Sequence, residues 1–141
     1  MRRPKLATVL VLAVAASLMV GVMPANAVVF DVHADFAEVQ NGRVTDVFGH
    51  IECTPGHHFV LRVNVTDSSG NKAVGRASGV CGGGQNGPSE TSLGTPWVTG
   101  RVVSDTGFTC DEELLARGQA RTTEDGDRGR INNFIFTCPL Q

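Results

Sequence analysis

The side chains that could do chemistry in this 141-residue chain are four cysteines and four histidines. The cysteines are evenly spaced, at Cys53, Cys81, Cys110 and Cys138. A thiolate is a nucleophile and a metal ligand, whereas two thiols in an oxidising compartment form a disulfide. An even number of regularly spaced cysteines favours two disulfides, and four cysteines allow three different pairings.

The histidines are the candidate metal ligands, because imidazole and carboxylate groups bind divalent transition metals. His50 precedes a Thr-Pro-Gly turn at residues 54–56, and His57 and His58 follow it. A tight hairpin at this turn would bring His50 opposite one of the other two. His33 alternates with Asp31 and Asp35 farther upstream. The simpler interpretation, which the sequence favours, is that all four are exposed histidines without a metal.

Motifs of catalysis are otherwise missing from the sequence. The chain has no tyrosine, no Gly-x-Ser-x-Gly nucleophile turn, no His-Glu-x-x-His zinc motif and no phosphate-binding glycine loop. If the cysteines form disulfides, a thiol nucleophile is not expected either. The sequence therefore predicts a protein that is not an enzyme and carries no cofactor.

The N-terminus predicts export. Met1 to Lys5 carries three basic residues, an apolar run follows to Met23, and Ala25-Asn26-Ala27 forms a small-residue cleavage site. We therefore expect a signal peptide at residues 1–27, removed after Ala27, and a secreted mature domain at residues 28–141. The alternative is a retained membrane anchor, since about 18 apolar residues just span a bilayer. The Ala-x-Ala site favours cleavage, which leaves no stable membrane anchor.

The charge balance argues against a nucleic-acid partner. The leader holds three of the twelve basic residues and none of the fourteen acidic ones, so the mature chain has a net charge of −5 with neutral histidines. Binding to phosphates requires clustered lysines and arginines. The arginines of the mature chain are dispersed in sequence, which indicates a solvated surface.

The period of the mature chain is two, which is typical of β-strands with one buried face. Seven strands are predicted, at residues 30–36, 43–53, 59–66, 72–80, 97–103, 114–123 and 130–138. Phe30, Val32, Ala34 and Phe36 are expected to share the buried face of the first strand. The segment at 114–121 could form a short helix by composition, but Gly118, Thr122 and Thr123 favour a strand.

Seven short strands predict an all-β fold, an antiparallel immunoglobulin-like β-sandwich with two disulfides. A small closed barrel is the second architecture. Cys53 and Cys81 flank the turn at residues 67–70 almost symmetrically, and Cys110 and Cys138 flank the turn at 124–127. Residues at the open end of a hairpin lie close enough for a disulfide. We therefore predict the pairs Cys53–Cys81 and Cys110–Cys138.

The longest connection, residues 82–96, is the predicted binding loop, because long loops on a rigid scaffold vary without disturbing the core. Its candidate contact residues are Gly83, Gln85 and Asn86, with Trp97 just beyond it as a possible surface anchor. The alternatives, which the sequence favours, are a flexible glycine-rich connector without a binding role and a tryptophan that belongs to the core.

Several features together resemble a known class of protein: the export signal, the Glu52-Cys53-Thr54-Pro55-Gly56 segment, the alternating strand at 59–65, the glycine-rich stretch after Cys81, the lone Trp97 and the terminal strand that ends at Cys138. They look like the small secreted immunoglobulin-like β-sandwich domains of unknown function from high-GC Gram-positive bacteria. The resemblance implies a fold and export but no activity.

Two functions of different class follow from these residues. The first is a secreted, non-catalytic module that binds an extracellular protein or a cell-wall polymer. The second is a secreted metal-dependent protein or enzyme that uses His50, His57 and His58. A protease inhibitor that presents the 82–96 loop is a third possibility. The sequence does not predict an oligomeric state.

Overall fold

A computed structural model describes residues 31–82 and 94–138, which form eight β-strands. They are β1 (Asp31–Gln40), β2 (Arg43–Glu52), β3 (His58–Thr66), β4 (Lys72–Val80), β5 (Thr95–Val98), β6 (Gly100–Ser104), β7 (Glu113–Thr122) and β8 (Arg128–Thr137). The all-β prediction is confirmed, as is strand over helix for β7. The predicted signal peptide, residues 1–27, lies outside the described residues, as does Phe30, which is expected on the buried face of the first strand. Within the described ranges, no helix is long and apolar enough to cross a membrane.

The strands form because apolar and polar residues alternate along them, which buries one face and leaves the other in water. In β3, Phe59, Val63 and Val65 are almost fully buried, whereas Arg62 and Asn64 are exposed. The inward side chains merge into one hydrophobic core that also includes residues 97 and 108. A single core therefore supports all of the outward surfaces described below.

The eight strands form one sheet in the order β5-β2-β1-β8-β7-β3-β4-β6. β5 and β6 are consecutive in sequence but lie at opposite ends of this order, since β5 pairs with β2 and β6 pairs with β4. The change of partner takes place at Thr99. Its N–H donates to Val47 O at 3.0 Å, and its hydroxyl accepts from Val47 N at 2.8 Å. One continuous segment thus links both edges and nearly closes the sheet into a barrel.

This near-barrel replaces the predicted immunoglobulin-like sandwich and corresponds to the second architecture that the sequence suggested. The predicted strand at 97–103 is likewise divided into β5 and β6. Gly75 of β4 makes the crossing possible, because a Cβ at this position would lie 2.8 Å from Thr99. An alternating pattern shows which residues are buried but not which strand is the neighbour, so the pattern could not decide between the two architectures.

A β-bulge in β1 changes which residues face outward. The register with β2 shifts between Ala34 and Phe36, so Asp35 has no partner residue on β2. Ala34 and Ala37 are buried, while Asp35 and Phe36 both lie on the outer side. The prediction that Phe36 shares the buried face is therefore wrong, because an inserted residue breaks the period of two. Its ring instead stacks on Phe48, with 4.5 Å between centroids.

Both predicted disulfides are present. Cys53–Cys81 joins Cα atoms 5.7 Å apart at the open end of the β3–β4 hairpin. Cys110–Cys138 joins Cα atoms 5.1 Å apart at the open end of the β7–β8 hairpin. Within the described residues no cysteine is free. Each bridge therefore closes its own hairpin, and the four cysteines are structural.

Candidate functional site

The three histidines considered together in the sequence are divided between two groups. His50 lies on the outer face of β2, whereas His57 immediately precedes β3 and His58 begins it, beside the β7–β8 turn. The Thr-Pro-Gly segment does not close a hairpin, since β2 pairs with β1 and β5 but not with β3. For this reason His50 does not face the other two histidines across paired strands.

His57 and His58 contact the two acidic residues of the β7–β8 turn. His57 Nδ1 lies 3.3 Å from Asp125 Oδ2, and His58 Nδ1 lies 2.7 Å from Glu124 Oε2. Hydrogen bonds from the side chain and then the backbone N–H of His58 lower the pKa of Glu124 to about 2. A hydrogen bond from the Thr122 hydroxyl outweighs desolvation and lowers the pKa of Asp125. Glu124 thus connects this turn to the first residue of β3, whereas Asp125 connects it to His57 just before β3.

The other group is formed by His33, Asp35 and His50. His33 and His50 are direct partners across β1 and β2, and their rings stack with 5.8 Å between centroids. The bulge places the Asp35 carboxylate on the same outer side. Its Oδ1 lies 3.2 Å from His33 Nε2, and its Oδ2 contacts His50 Nδ1. These three side chains are 31%, 27% and 17% exposed in sequence order, so the group is half-buried but open to solvent.

Asn133 of β8 fixes the backbone immediately before Asp35. Its Oδ1 accepts a hydrogen bond from Ala34 N at 3.1 Å, and its Nδ2 donates to Ala34 O at 2.7 Å. β1 and β8 share only two backbone register pairs, which begin at Phe36. The Asn133 side chain therefore provides the hydrogen bonds that a neighbouring strand would otherwise make. Nothing in the local sequence identifies this residue, because it lies 99 positions from Ala34.

An apolar row crosses the outer face next to the histidines. The register places Val98, Phe48, Phe36 and Phe136 side by side on β5, β2, β1 and β8. Val98 and Phe136 are 49% and 55% exposed, and the nearby Phe134 is 65% exposed. The bulge at Asp35 creates this row, because it moves Phe36 from the inner to the outer side.

The outer side of β4, β3, β7 and β8 carries six exposed arginines, which we call the arginine face: Arg62, Arg76, Arg117, Arg121, Arg128 and Arg130. One row across the four strands consists of Arg76, Arg62, Gln119 and Arg130, and the next consists of Ser78, Val60, Arg121 and Arg128. Adjacent strands are about 4.8 Å apart and rows on one face about 6.8 Å apart. The six side chains therefore form one continuous surface.

The arginine face contains no acidic residue. The third row, Val74, Asn64, Arg117 and Asn132, completes twelve positions without an Asp or a Glu. Among the described residues, the ion pairs all involve histidines, so none of the six arginines has a carboxylate partner. Shallow depressions follow the face, and one of about 420 Å³ is lined by Arg62, Arg76, Arg121 and Arg128. The cluster is not evident in the amino-acid sequence, because the arginines are spread over four strands.

The predicted loop residues are only partly described. Gly83, Gln85 and Asn86 lie outside the described residues. At the ends of the 82–96 loop, Gly82 N donates to Thr95 Oγ1 at 2.9 Å, which ties the two ends together. Trp97 is 4% exposed and packs in the core, so its ring is not available as a surface anchor.

Comparisons of the chain with protein-family models, with curated proteins and with solved structures found no match.

Proposed function

We propose that the mature chain is an exported, non-catalytic module that binds a phosphate-bearing cell-wall polymer through the arginine face. The observation that carries this proposal is the set of six arginines on one sheet surface with no carboxylate partner among the described residues. A guanidinium group is always charged and presents a planar fork of donors that matches the oxygens of a phosphate.

The cost of this arrangement to the free protein supports a role in binding. The register places Arg62 opposite Arg76 and Arg121 opposite Arg128. Like charges directly opposite each other destabilise a sheet. The chain has fourteen acidic residues with which such pairs could be neutralised, yet none lies in these three rows. A bound polyanion would offset this repulsion between arginines. Binding of a polyanion therefore explains why so many arginines lie on one face.

A wall polymer fits this surface better than a single-stranded nucleic acid does. Single-stranded nucleic acids are held by aromatic side chains that stack on the bases, in addition to cations. The twelve positions of the arginine face include no aromatic residue. The predicted signal peptide at residues 1–27 and the two disulfides agree with a location outside the membrane, where a wall polymer could reach this surface.

The test is a titration of the oxidised domain, residues 28–141, with lipid-free poly(glycerol phosphate), with dextran as the neutral control and duplex DNA as the competing class. We expect binding to the phosphate polymer that weakens steeply between about 50 and 200 mM salt, because counterions are released on association. The variant R62Q/R76Q/R121Q/R128Q should weaken binding by roughly 30- to 700-fold, from about 0.5–1 kcal/mol for each exposed ionic contact.

Two matched variants separate the arginine face from net charge. Arg43 lies at the start of β2, outside the face, so Arg43→Gln should leave the affinity within about twofold of the unmodified domain after correction for one charge. Replacing the same four arginines with lysine keeps the charge and removes the planar fork, so this variant should lie between the two extremes. Unchanged binding by the fourfold Gln variant, or tighter binding to duplex DNA than to the polymer, would overturn the proposal.

A further inference from the structure

Two imidazoles and one carboxylate converge on one point of the outer surface between β1 and β2. One ligand atom from each of His33, Asp35 and His50 lies within 4.8 Å of the other two. Zinc binds such atoms at about 2.0–2.2 Å, so tetrahedral ligand atoms are about 3.4 Å apart. Binding a metal would therefore require the farthest pair of ligand atoms to approach by no more than about 1.4 Å. We propose that these three residues form a binding site for a divalent transition-metal ion, and we take Zn²⁺ as the representative ion.

The donor set selects the class of metal. Nitrogen from two imidazoles suits Zn²⁺, Cu²⁺ and Ni²⁺, whereas Ca²⁺ and Mg²⁺ prefer sites built from oxygen alone. No free thiolate is available among the described residues to favour a softer ion. Three protein ligands leave one position of a tetrahedral zinc open to water or to another ligand.

The charge around the group favours a cation. In the adjacent row of the β1–β2 ladder, Asp31 is directly opposite Glu52, and both are exposed. Like charges at directly opposed positions destabilise a sheet, and neither carboxylate has an ion-pair partner among the described residues. With Asp35, which contacts both histidines, three carboxylates therefore lie beside the two histidines or in the adjacent row. A divalent cation would reduce their mutual repulsion.

The surroundings also hold the ligands in place. Asn133 fixes both backbone groups of Ala34 and so sets the bulge from which Asp35 projects. Phe36 and Phe48 stack beside the group and form an apolar wall on one side. Residues that pack around the ligands of a metal hold those ligands in their orientation and strengthen metal binding by limiting the access of water. Asn133 is thus a positioning residue for the metal.

The experiment uses the oxidised mature domain, with Co²⁺ as a spectroscopic probe and Zn²⁺ as its competitor. We expect visible absorption bands of four-coordinate Co²⁺, saturation at one ion per chain, and loss of the bands on addition of Zn²⁺. His33→Gln, His50→Gln and Asp35→Asn should each weaken Zn²⁺ binding by about 100-fold or more. Asn133→Leu should weaken it by about 10-fold, because it removes the two hydrogen bonds that fix Ala34 beside Asp35.

The matched control is the double variant H57Q/H58Q, which removes the other two histidines and leaves the proposed ligands intact. It should bind Zn²⁺ with unchanged stoichiometry and affinity. The proposal fails if the unmodified domain shows no Co²⁺ bands, or if H57Q/H58Q abolishes binding while H33Q retains it. The urea midpoint of each variant shows whether it is folded. If one histidine variant is unfolded, the test rests on Zn²⁺ binding by the other histidine variant and by D35N. Binding of the phosphate polymer should not change in any of them, so this proposal and the proposed function fail independently.

Discussion

Removal of each disulfide in turn is the most direct test of how this sheet is held together. The two variants are C53A/C81A and C110A/C138A. Both bridges span 28 positions, and their loops do not overlap in sequence. The contribution from loop closure is therefore the same for both, and any difference between them reports the surroundings of the sulfur atoms.

The expected magnitudes follow from loop length and burial. The chain-entropy relation gives about 3.6 kcal/mol at 25 °C for a closed loop of about 29 residues. Cys53 and Cys81 are both buried, at 8% and 1% exposure, whereas Cys138 is 8% exposed and Cys110 is exposed to solvent. Truncation of a buried sulfur adds about 1 kcal/mol for the space left behind. We therefore expect losses of about 5.6 kcal/mol for C53A/C81A and about 4.6 kcal/mol for C110A/C138A.

Urea denaturation followed by the fluorescence of Trp97 measures both losses, because this single tryptophan is buried in the core. The midpoint should fall by roughly 2–3 M in each case for a slope of about 2 kcal/mol/M. A loss below about 1.5 kcal/mol for either variant would refute the argument from loop closure. A larger loss for C110A/C138A than for C53A/C81A would refute the argument from burial.

Three further predictions concern a tight contact, the arginine face and pH. Gly49→Ala should destabilise the domain by about 3 kcal/mol or more in the same urea assay, because the added Cβ would lie 2.2 Å from both His33 O and the Trp97 ring. Gly100→Ala is the control, because no atom lies within 4 Å of the added Cβ. Its free energy of unfolding should stay within about 0.5 kcal/mol of the unmodified domain. Arg76→Glu should stabilise the free domain by about 0.5–1 kcal/mol at low salt, since it turns the like-charged pair with Arg62 into an ion pair. The same variant should weaken polymer binding. A urea midpoint below that of the unmodified domain would contradict the expected stabilisation. The contact with His58 lowers the pKa of Glu124 from 4.5 to about 2, so this carboxylate stabilises the fold fully above pH 4.5 and loses that effect as pH falls towards 2. Glu124→Gln should therefore flatten the dependence of the urea midpoint on pH in this window and leave its slope above pH 5 unchanged.

Features that depend on near neighbours in sequence were predictable. Alternation in β3 identified its buried residues, because the side chains of a strand point to opposite faces in turn. The turn at Asp67 was equally predictable, because its hydrogen bonds join residues close in sequence. Asp67 Oδ1 accepts from Ser69 N at 3.0 Å and from Asn71 N at 2.8 Å. The two disulfides followed from the same logic, since the ends of a hairpin are equidistant from its turn.

The candidate sites required the register between strands that are distant in sequence. Arg62 and Arg130 belong to one surface only because β7 lies between β3 and β8. Asp35 reaches His33 and His50 only because a bulge adds a residue to β1, and Asn133 reaches across from β8 to fix it.

The amino-acid sequence by itself determined most of the strands, the turns of the two disulfide-closed hairpins and the cysteine pairs of this protein, because short-range periodicity and turn chemistry encode them. The tertiary structure alone decided the near-closure of the sheet through Thr99, the gathering of the arginines and the grouping of two histidines with an aspartate. Those features depend on which strands pair and in which register. Strand pairing is set by the packing of the whole core, and no local pattern of residues carries that information.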